Sequence, residues 1–313
     1  MIAAEGLRKT YRTERGEREA VRSVTLEVAP GEFFGLLGPN GAGKSTTIGM
    51  LTTLVLPTGG SARVAGFDVV RQAREVRRRI SLVHQSNAVD RDLTVRENLE
   101  FRGRYWGVGR RAARLRADEL LEQFGLGDHR DALFYQLSGG QLRRMVIARA
   151  LVHSPEVLFL DEPTVGVDAH SRVRLWEVLR ELHGRGQTIV LTTHNLDEAE
   201  RLCRRAAIVD EGRVLACDTV DALVARAGGE VTVSAVFDGP VDPAALPSVR
   251  RRPGDRARAR GATVEVVTAE PEGLLGELIA AGSAAGRRLL DVTTSRPGLE
   301  SAFLALAGRT YRA

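Results

Sequence analysis

The run Gly38-Pro39-Asn40-Gly41-Ala42-Gly43-Lys44-Ser45-Thr46 constrains this chain more than any other feature. It fits the spacing G-x-x-x-x-G-K-[S/T]. The apolar run Phe33-Phe34-Gly35-Leu36-Leu37 before it reads as a strand, and residues 43–54 after it read as a helix. Glycines let the backbone wrap closely around phosphate oxygens, so that consecutive N–H groups donate to them. The start of the following helix aims its positive end at the same place. Lys44 can reach β- and γ-phosphates as a compact charge, and Ser45 can ligate Mg²⁺. The chain holds 43 arginines but only two lysines, Lys9 and Lys44. A guanidinium's broad planar fork replaces a compact ammonium poorly inside such a loop. Position 44 is therefore where an arginine-rich composition should be resisted; Lys9 has no comparable role in the sequence.

Two further runs carry chemistry. Val157-Leu158-Phe159-Leu160-Asp161-Glu162 is an apolar strand ending in two acids. In α/β sheets ligands bind at this carboxyl edge. Asp161 is expected to hold Mg²⁺, directly or through water, and Glu162 to polarise an attacking water as general base. Leu137-Ser138-Gly139-Gly140-Gln141 precedes a helix reaching about Val152, with Ser138 placed to cap it and the N–H groups of Gly139 and Gly140 forming a second anion site. Two phosphate-binding helix starts either converge on one nucleotide or contribute to a site shared by a dimer.

Short buried strands recur at 80–83, 157–160, 189–192 and 206–209, with helical patterns between several of them. Thr94 and Glu97 have capping-box spacing, and a helix over 172–182 places Val173, Trp176, Leu179 and Leu182 on one face. Strands alternating with helices argue for an α/β core with a largely parallel sheet. Residues 93–133 read as helical throughout, an all-α insertion spanning about 93–135. Gly228-Gly229 is a natural joint. It divides an expected first domain, 1–228, from a small α+β domain, 229–313, with strands at 231–237, 262–268 and 288–294 and helices at 271–285 and from Leu299. Between the first two of those strands, Arg250-Arg251-Arg252 with Arg256, Arg258 and Arg260 reads as a solvated loop containing Asp255 rather than a polyanion patch.

The net charge of +5 is not concentrated in either domain: 229–313 holds 11 arginines and 10 acids. That near-balance is a weak footprint for nucleic acid, and none is expected as a partner. No stretch approaches the ~18–20 apolar residues of a membrane helix. The start shows no secretory signal, and Cys203 and Cys217 match neither a disulfide framework nor a metal spacing.

On these motifs, taken in order, residues 1 to about 225 resemble the nucleotide-binding subunit of an ATP-binding-cassette (ABC) transporter. The resemblance implies a P-loop NTPase cassette, with an antiparallel β subdomain and an α-helical subdomain, that uses ATP and Mg²⁺. Under it, Tyr11 matches the aromatic that stacks on adenine, and Gln85 the glutamine that links the metal to the transport partner. Leu137–Gln141 matches the family signature, Asp168 the loop after the catalytic acid, and His194 the switch histidine that contacts the γ-phosphate. In such proteins two cassettes sandwich two ATP molecules head to tail, each nucleotide lying between one phosphate loop and the other subunit's signature, which answers the geometric question in favour of a homodimer. This chain departs from the usual pattern at His84, where proline is common, and at Gly166-Val167-Asp168-Ala169, where Gly-Leu-Asp-Pro is common. A finer resemblance, to the daunorubicin-resistance-type ATPases of bacterial multidrug exporters, rests on Asn87–Asp90, Leu93–Leu99 and Pro297–Leu304. It implies drug export through a separate membrane permease, with this chain peripheral on the cytoplasmic face of the membrane. The alternative is a soluble cassette acting on ribosomes or nucleic acid. One phosphate loop, no second signature and no sustained heptads speak against it.

Overall fold

Hydrophobic alternation builds the first part of a ten-stranded sheet in the computed structural model, which describes residues 1–14, 16–84, 89–226, 231–241, 256–269, 271–295 and 298–307. Strand β1 (Ile2–Thr13) pairs antiparallel with β2 (Gly16–Val28), and Ile2, Ala4 and Leu7 share a core with Val24, Leu26 and Val28. Strand β4 (Gly59–Val64) pairs antiparallel with β1, and β5 (Phe67–Asp68) with β4. Five parallel strands form the other part, in the order β9 (Arg205–Asp210), β3 (Phe33–Leu37), β8 (Thr188–Thr193), β7 (Val157–Asp161), β6 (Ile80–Val83). Every residue of β3, β7 and β8 is buried, as expected of parallel strands covered on both faces. Strand β10 (Arg213–Thr219) pairs antiparallel with β9 and meets β2 at Arg213 and Ser23, joining the two blocks.

Helix α1 (Lys44–Leu51) follows β3, α2 (Ala73–Arg79) precedes β6, α6 (Ala169–Gly184) links β7 to β8, and α7 (Leu196–Leu202) links β8 to β9. Between β6 and β7 come α3 (Val95–Tyr105), α4 (Arg110–Gln123) and α5 (Gly139–Ala150). The capping box at Thr94 forms as expected, its hydroxyl accepting from Glu97 N at 3.2 Å while the Glu97 carboxylate accepts from Thr94 N at 2.8 Å. The segment 93–133 is not helical throughout. It breaks after Tyr105, where Gly107 takes φ +87° and turns the chain back. Nor does Val173 join the buried face of α6. It is 48% exposed, and the buried face carries Leu175, Trp176, Val178, Leu179 and Leu182.

This first compact unit ends at Thr219 and the second begins at Val220. The second contains α8 (Val220–Ala225), β11 (Val231–Phe237), β12 (Arg256–Arg260), β13 (Thr263–Thr268), α9 (Leu274–Ala284), β14 (Leu289–Ser295) and α10 (Leu299–Ala307). Its antiparallel sheet runs β12-β13-β11-β14, and Val233, Ala235, Phe237, Val264, Val266, Leu274 and Leu278 form its core. Strand β12 corrects the loop expected there. The alternation Arg-Ala-Arg-Ala-Arg turns Ala257 and Ala259 onto the core and pairs Arg258 with Glu265 across the ladder. Arg250, Arg251, Arg252 and Asp255 lie outside the described residues.

Candidate nucleotide-binding and catalytic site

Three parallel strands deliver the site's residues at one sheet edge. Strand β3 runs into the Gly38–Thr46 loop, β7 ends at Asp161 with Glu162 next, and β8 ends one residue before His194. Two glycines make the loop possible. A Cβ at Gly38 would lie 2.1 Å from the Val209 carbonyl oxygen. One at Gly43, where φ is +101°, would lie 2.5 Å from that of Ala20. Both places admit only a bare backbone.

Lys44 is buried and donates to the carbonyls of Gly38 (2.8 Å) and Pro39 (3.2 Å). Its Nζ also lies 3.5 Å from Glu162 Oε1. Burial pulls the Lys44 ammonium below its ordinary value, while Glu162 and Asp161 oppose that shift. Phosphate oxygens arriving at the loop would add to the opposing side and favour the charged form. The other Glu162 carboxylate oxygen lies 3.2 Å from His194 Nδ1. Glu162 thus spans a lysine and a histidine. Its backbone takes φ +49°, unusual for a residue with a side chain, and Thr192 holds it there by accepting from Glu162 N with its carbonyl (3.0 Å) and its hydroxyl (3.1 Å). Thr192 Oγ1 also donates to Asp161 Oδ1, which accepts from Ser45 Oγ at 3.1 Å. Ser45 and Asp161 therefore place two hard oxygens side by side, a donor set suited to Mg²⁺.

The signature segment lies elsewhere on the surface of the same unit. Ser138 and Gly139 are exposed. Ser138 Oγ accepts from Gln141 N at 3.3 Å and Gln141 Oε1 accepts from Ser138 N at 2.8 Å, a second capping box. Gln141 Nε2 meets His129 Nε2 at 3.0 Å. Gly140 packs against α6 so tightly that a Cβ would lie 2.2 Å from Ser171 Oγ. Asp168 caps α6 by accepting from Ser171 N at 2.9 Å, and that hydrogen bond is the leading cause holding its carboxyl below the usual range. Tyr11 is 37% exposed on β1, with Lys9 Nζ 5.0 Å from its ring centre and hydrogen-bonded to the Leu56 carbonyl. Lys9 thus has a local structural role that the sequence did not reveal. Gln85 lies outside the described residues.

The sequence reading missed Arg143. It sits on α5, is buried, and donates to the carbonyls of Pro163 (2.7 Å), His84 (2.7 Å) and Glu162 (3.3 Å). One guanidinium so ties the signature helix to the loop after β7 and to the residue before Gln85. Burial pulls it down to about 10, against Asp161 and Glu198. The signal was a charge on the face of α5 that also carries Gly140 and Ile147. Glu198 was missed too. Fully buried, it accepts from Thr164 Oγ1 (3.2 Å) and Trp176 Nε1 (3.1 Å), and burial pushes its carboxyl up.

The ABC transporter family model matches residues 21–165. The daunorubicin resistance ATP-binding protein DrrA2 of Streptomyces coeruleorubidus is 43% identical over 98% of this chain and 95% of its own length. The chain belongs to the ABC transporter family. The linearmycin resistance ATP-binding protein LnrL of Bacillus subtilis (strain 168) is 36% identical over the full length of both chains. The Nod factor export ATP-binding protein I of Paraburkholderia xenovorans (strain LB400) is 44% identical over 86% of this chain and 87% of its own. The dimeric structure of a bacterial ABC transporter cassette superposes with TM-score 0.64 at 29% identity. It covers 70% of this chain and 98% of that one, and a post-hydrolysis state of the same cassette carries ADP and Pi. The chain is thus an ABC-type ATPase cassette with a further C-terminal unit, and no described helix is long and apolar enough to cross a membrane.

Proposed function

We propose that this chain is the ATP-hydrolysing subunit of an exporter whose transport path lies on a separate membrane permease, with drug-like or antibiotic-like cargo. The placement of Glu162 between Lys44 and His194, beside the Ser45–Asp161 pair, carries the reading. Near-full-length similarity to resistance and export ATP-binding proteins supports it.

In this reading the Gly38–Thr46 loop cradles the triphosphate of ATP and Lys44 neutralises its terminal oxygens. The Tyr11 ring offers a face for adenine. Ser45 and Asp161 would hold Mg²⁺, with Gln85 assisting, and the metal would supply charge neutralisation of the phosphates. Glu162 takes the proton of the attacking water at its carboxylate, and His194 Nδ1, in contact with that carboxylate, orients it toward the γ-phosphate. Ser138 and Gly139 are exposed, available to the nucleotide of a second copy packed head to tail, with Gly140 seating the helix start against α6, Gln141 fixing the cap and Asp168 the adjoining helix. ATP would then favour the closed dimer and hydrolysis the open one, a shift between two populations.

The test is co-purification of the tagged chain from its native host, with orthophosphate release measured on the recovered complex. A partner with several membrane spans that stimulates ATP turnover is the expected result. Recovery on ribosomes or nucleic acid instead would overturn the reading.

A further inference from the structure

Folding gathers charge that the chain as a whole conceals. Residues 71–79 and 101–116 together hold eleven arginines and a single acid, Glu75, so these two segments exceed the net charge of the entire protein. They meet at a cleft of about 770 Å³ lined by Arg74, Arg77 and Arg78 of α2, by Tyr105, Trp106, Gly107 and Val108 at the end of α3, and by His153. Arg78 is held by Glu75 at 3.1 Å. Arg74 and Arg77 are exposed; Arg74 acts on Glu75 only at longer range, and the carboxylate's close contacts go to Arg78 and Arg79. The aromatic side is ordered: Trp106 stacks on His153 with centroids 4.9 Å apart and planes at 22°, and His153 Nε2 is anchored on the Ile80 carbonyl at 3.2 Å. Arg102 lies over the rings of both Trp106 (5.3 Å) and Tyr105 (5.7 Å). Phe101 and Tyr105, four residues apart on α3, turn their rings to solvent at 59% and 69% exposure.

We propose that this cleft binds a phosphate-bearing anion, its phosphate received by Arg74 and Arg77 and its organic part resting on Tyr105 and Trp106. Three guanidinium groups around one cavity exceed what a single carboxylate needs, and their planar forks match phosphate oxygens in pairs. Aromatic rings beside basic residues suit the level of phospholipid headgroups, where Tyr and Trp settle with their polar edges in water. The phosphate can come from an anionic lipid or from a soluble phosphate. The site lies away from Gly38–Thr46 and does not depend on the transport reading.

The full chain is mixed with vesicles of phosphatidylcholine containing phosphatidylglycerol, with phosphatidylcholine vesicles alone, and with inorganic phosphate. Binding is read by co-sedimentation for the vesicles and by tryptophan fluorescence for phosphate, with Trp106→Phe identifying the reporter. Arg74→Gln/Arg77→Gln is expected to weaken binding to the anionic vesicles about thirtyfold, each arginine near such a surface contributing about fivefold. Arg110→Gln/Arg111→Gln, which removes equal charge outside the cleft, should change it much less, and ATP turnover should be unchanged in both variants. Binding to the anionic vesicles without a Trp106 response to inorganic phosphate assigns the lipid source, and a response lost in the first variant assigns the soluble one. Equal losses in the two double variants would reduce the effect to diffuse charge and overturn the site, as would wild-type protein that binds neither probe.

Discussion

Arg143→Met isolates what the buried guanidinium does. Methionine keeps most of the stem's volume and removes every donor. The carbonyls of Pro163 and His84, each at 2.7 Å, lose their partner. Stranding two such acceptors costs about 1–3 kcal/mol each, roughly 4 kcal/mol together. Burial of the charge, which pulls Arg143 from its ordinary value down to about 10, runs the other way. At about 1.36 kcal/mol per pKa unit its release returns roughly 3 kcal/mol. The difference is about 1 kcal/mol, so Tm should fall by only about 2–4 °C. Catalysis should respond differently. Arg143 also holds the Glu162 carbonyl at 3.3 Å, and a misplacement of about 1 Å at a reacting group costs on the order of a hundredfold in rate. Thermal unfolding, ATP binding and phosphate release on one preparation should therefore show near-native stability, unchanged ATP affinity and a kcat down about a hundredfold. A kcat within a factor of two of wild type, or an ATP affinity falling in parallel, would refute the positioning argument.

Other substitutions probe the remaining parts. Glu162→Gln should bind ATP and hold a closed dimer while phosphate release nearly stops, as size-exclusion chromatography with ATP and a turnover assay would show; wild-type turnover would remove Glu162 as the base. Ser138→Arg should leave ATP binding by the monomer intact and abolish dimer-dependent hydrolysis, and a variant that dimerises and turns over normally would exclude the shared site. Lys44→Ala should lose ATP affinity in equilibrium binding, because the compact charge at the loop is gone. Glu198→Gln should alter the pH dependence of stability. The folded-state pKa of Glu198 is raised by burial, so its contribution is fully present below the unfolded value and is lost as pH rises through the folded one. Urea unfolding should then show the glutamine variant gaining on wild type as pH increases, and a constant difference would contradict the buried charge.

The candidate site positions were legible because phosphate binding demands residue types at fixed spacing. Gly38, Gly43 and Lys44 have steric and charge requirements that few other residues satisfy, and the all-apolar run ending in Asp161 and Glu162 announces a central parallel strand. The caps at Thr94 and Ser138 were equally readable, being local hydrogen bonds within four residues. Strand β12 was hidden by its arginines, although its two-residue alternation was present, because charge density suggested solvent where an edge strand stands. The contact of Glu162 with both Lys44 and His194 joins three separate strand ends and has no signature along the chain.

By itself, then, the sequence determined the cassette and its order of motifs, since each motif depends on neighbours a few residues away. Only the tertiary structure decided that Arg143 ties two loops and a helix together, that Glu198 is buried against Thr164 and Trp176, and that a balanced composition conceals a cleft edged with arginines. Burial and long-range pairing set those properties. Both depend on which strands lie side by side, which residue spacing does not encode.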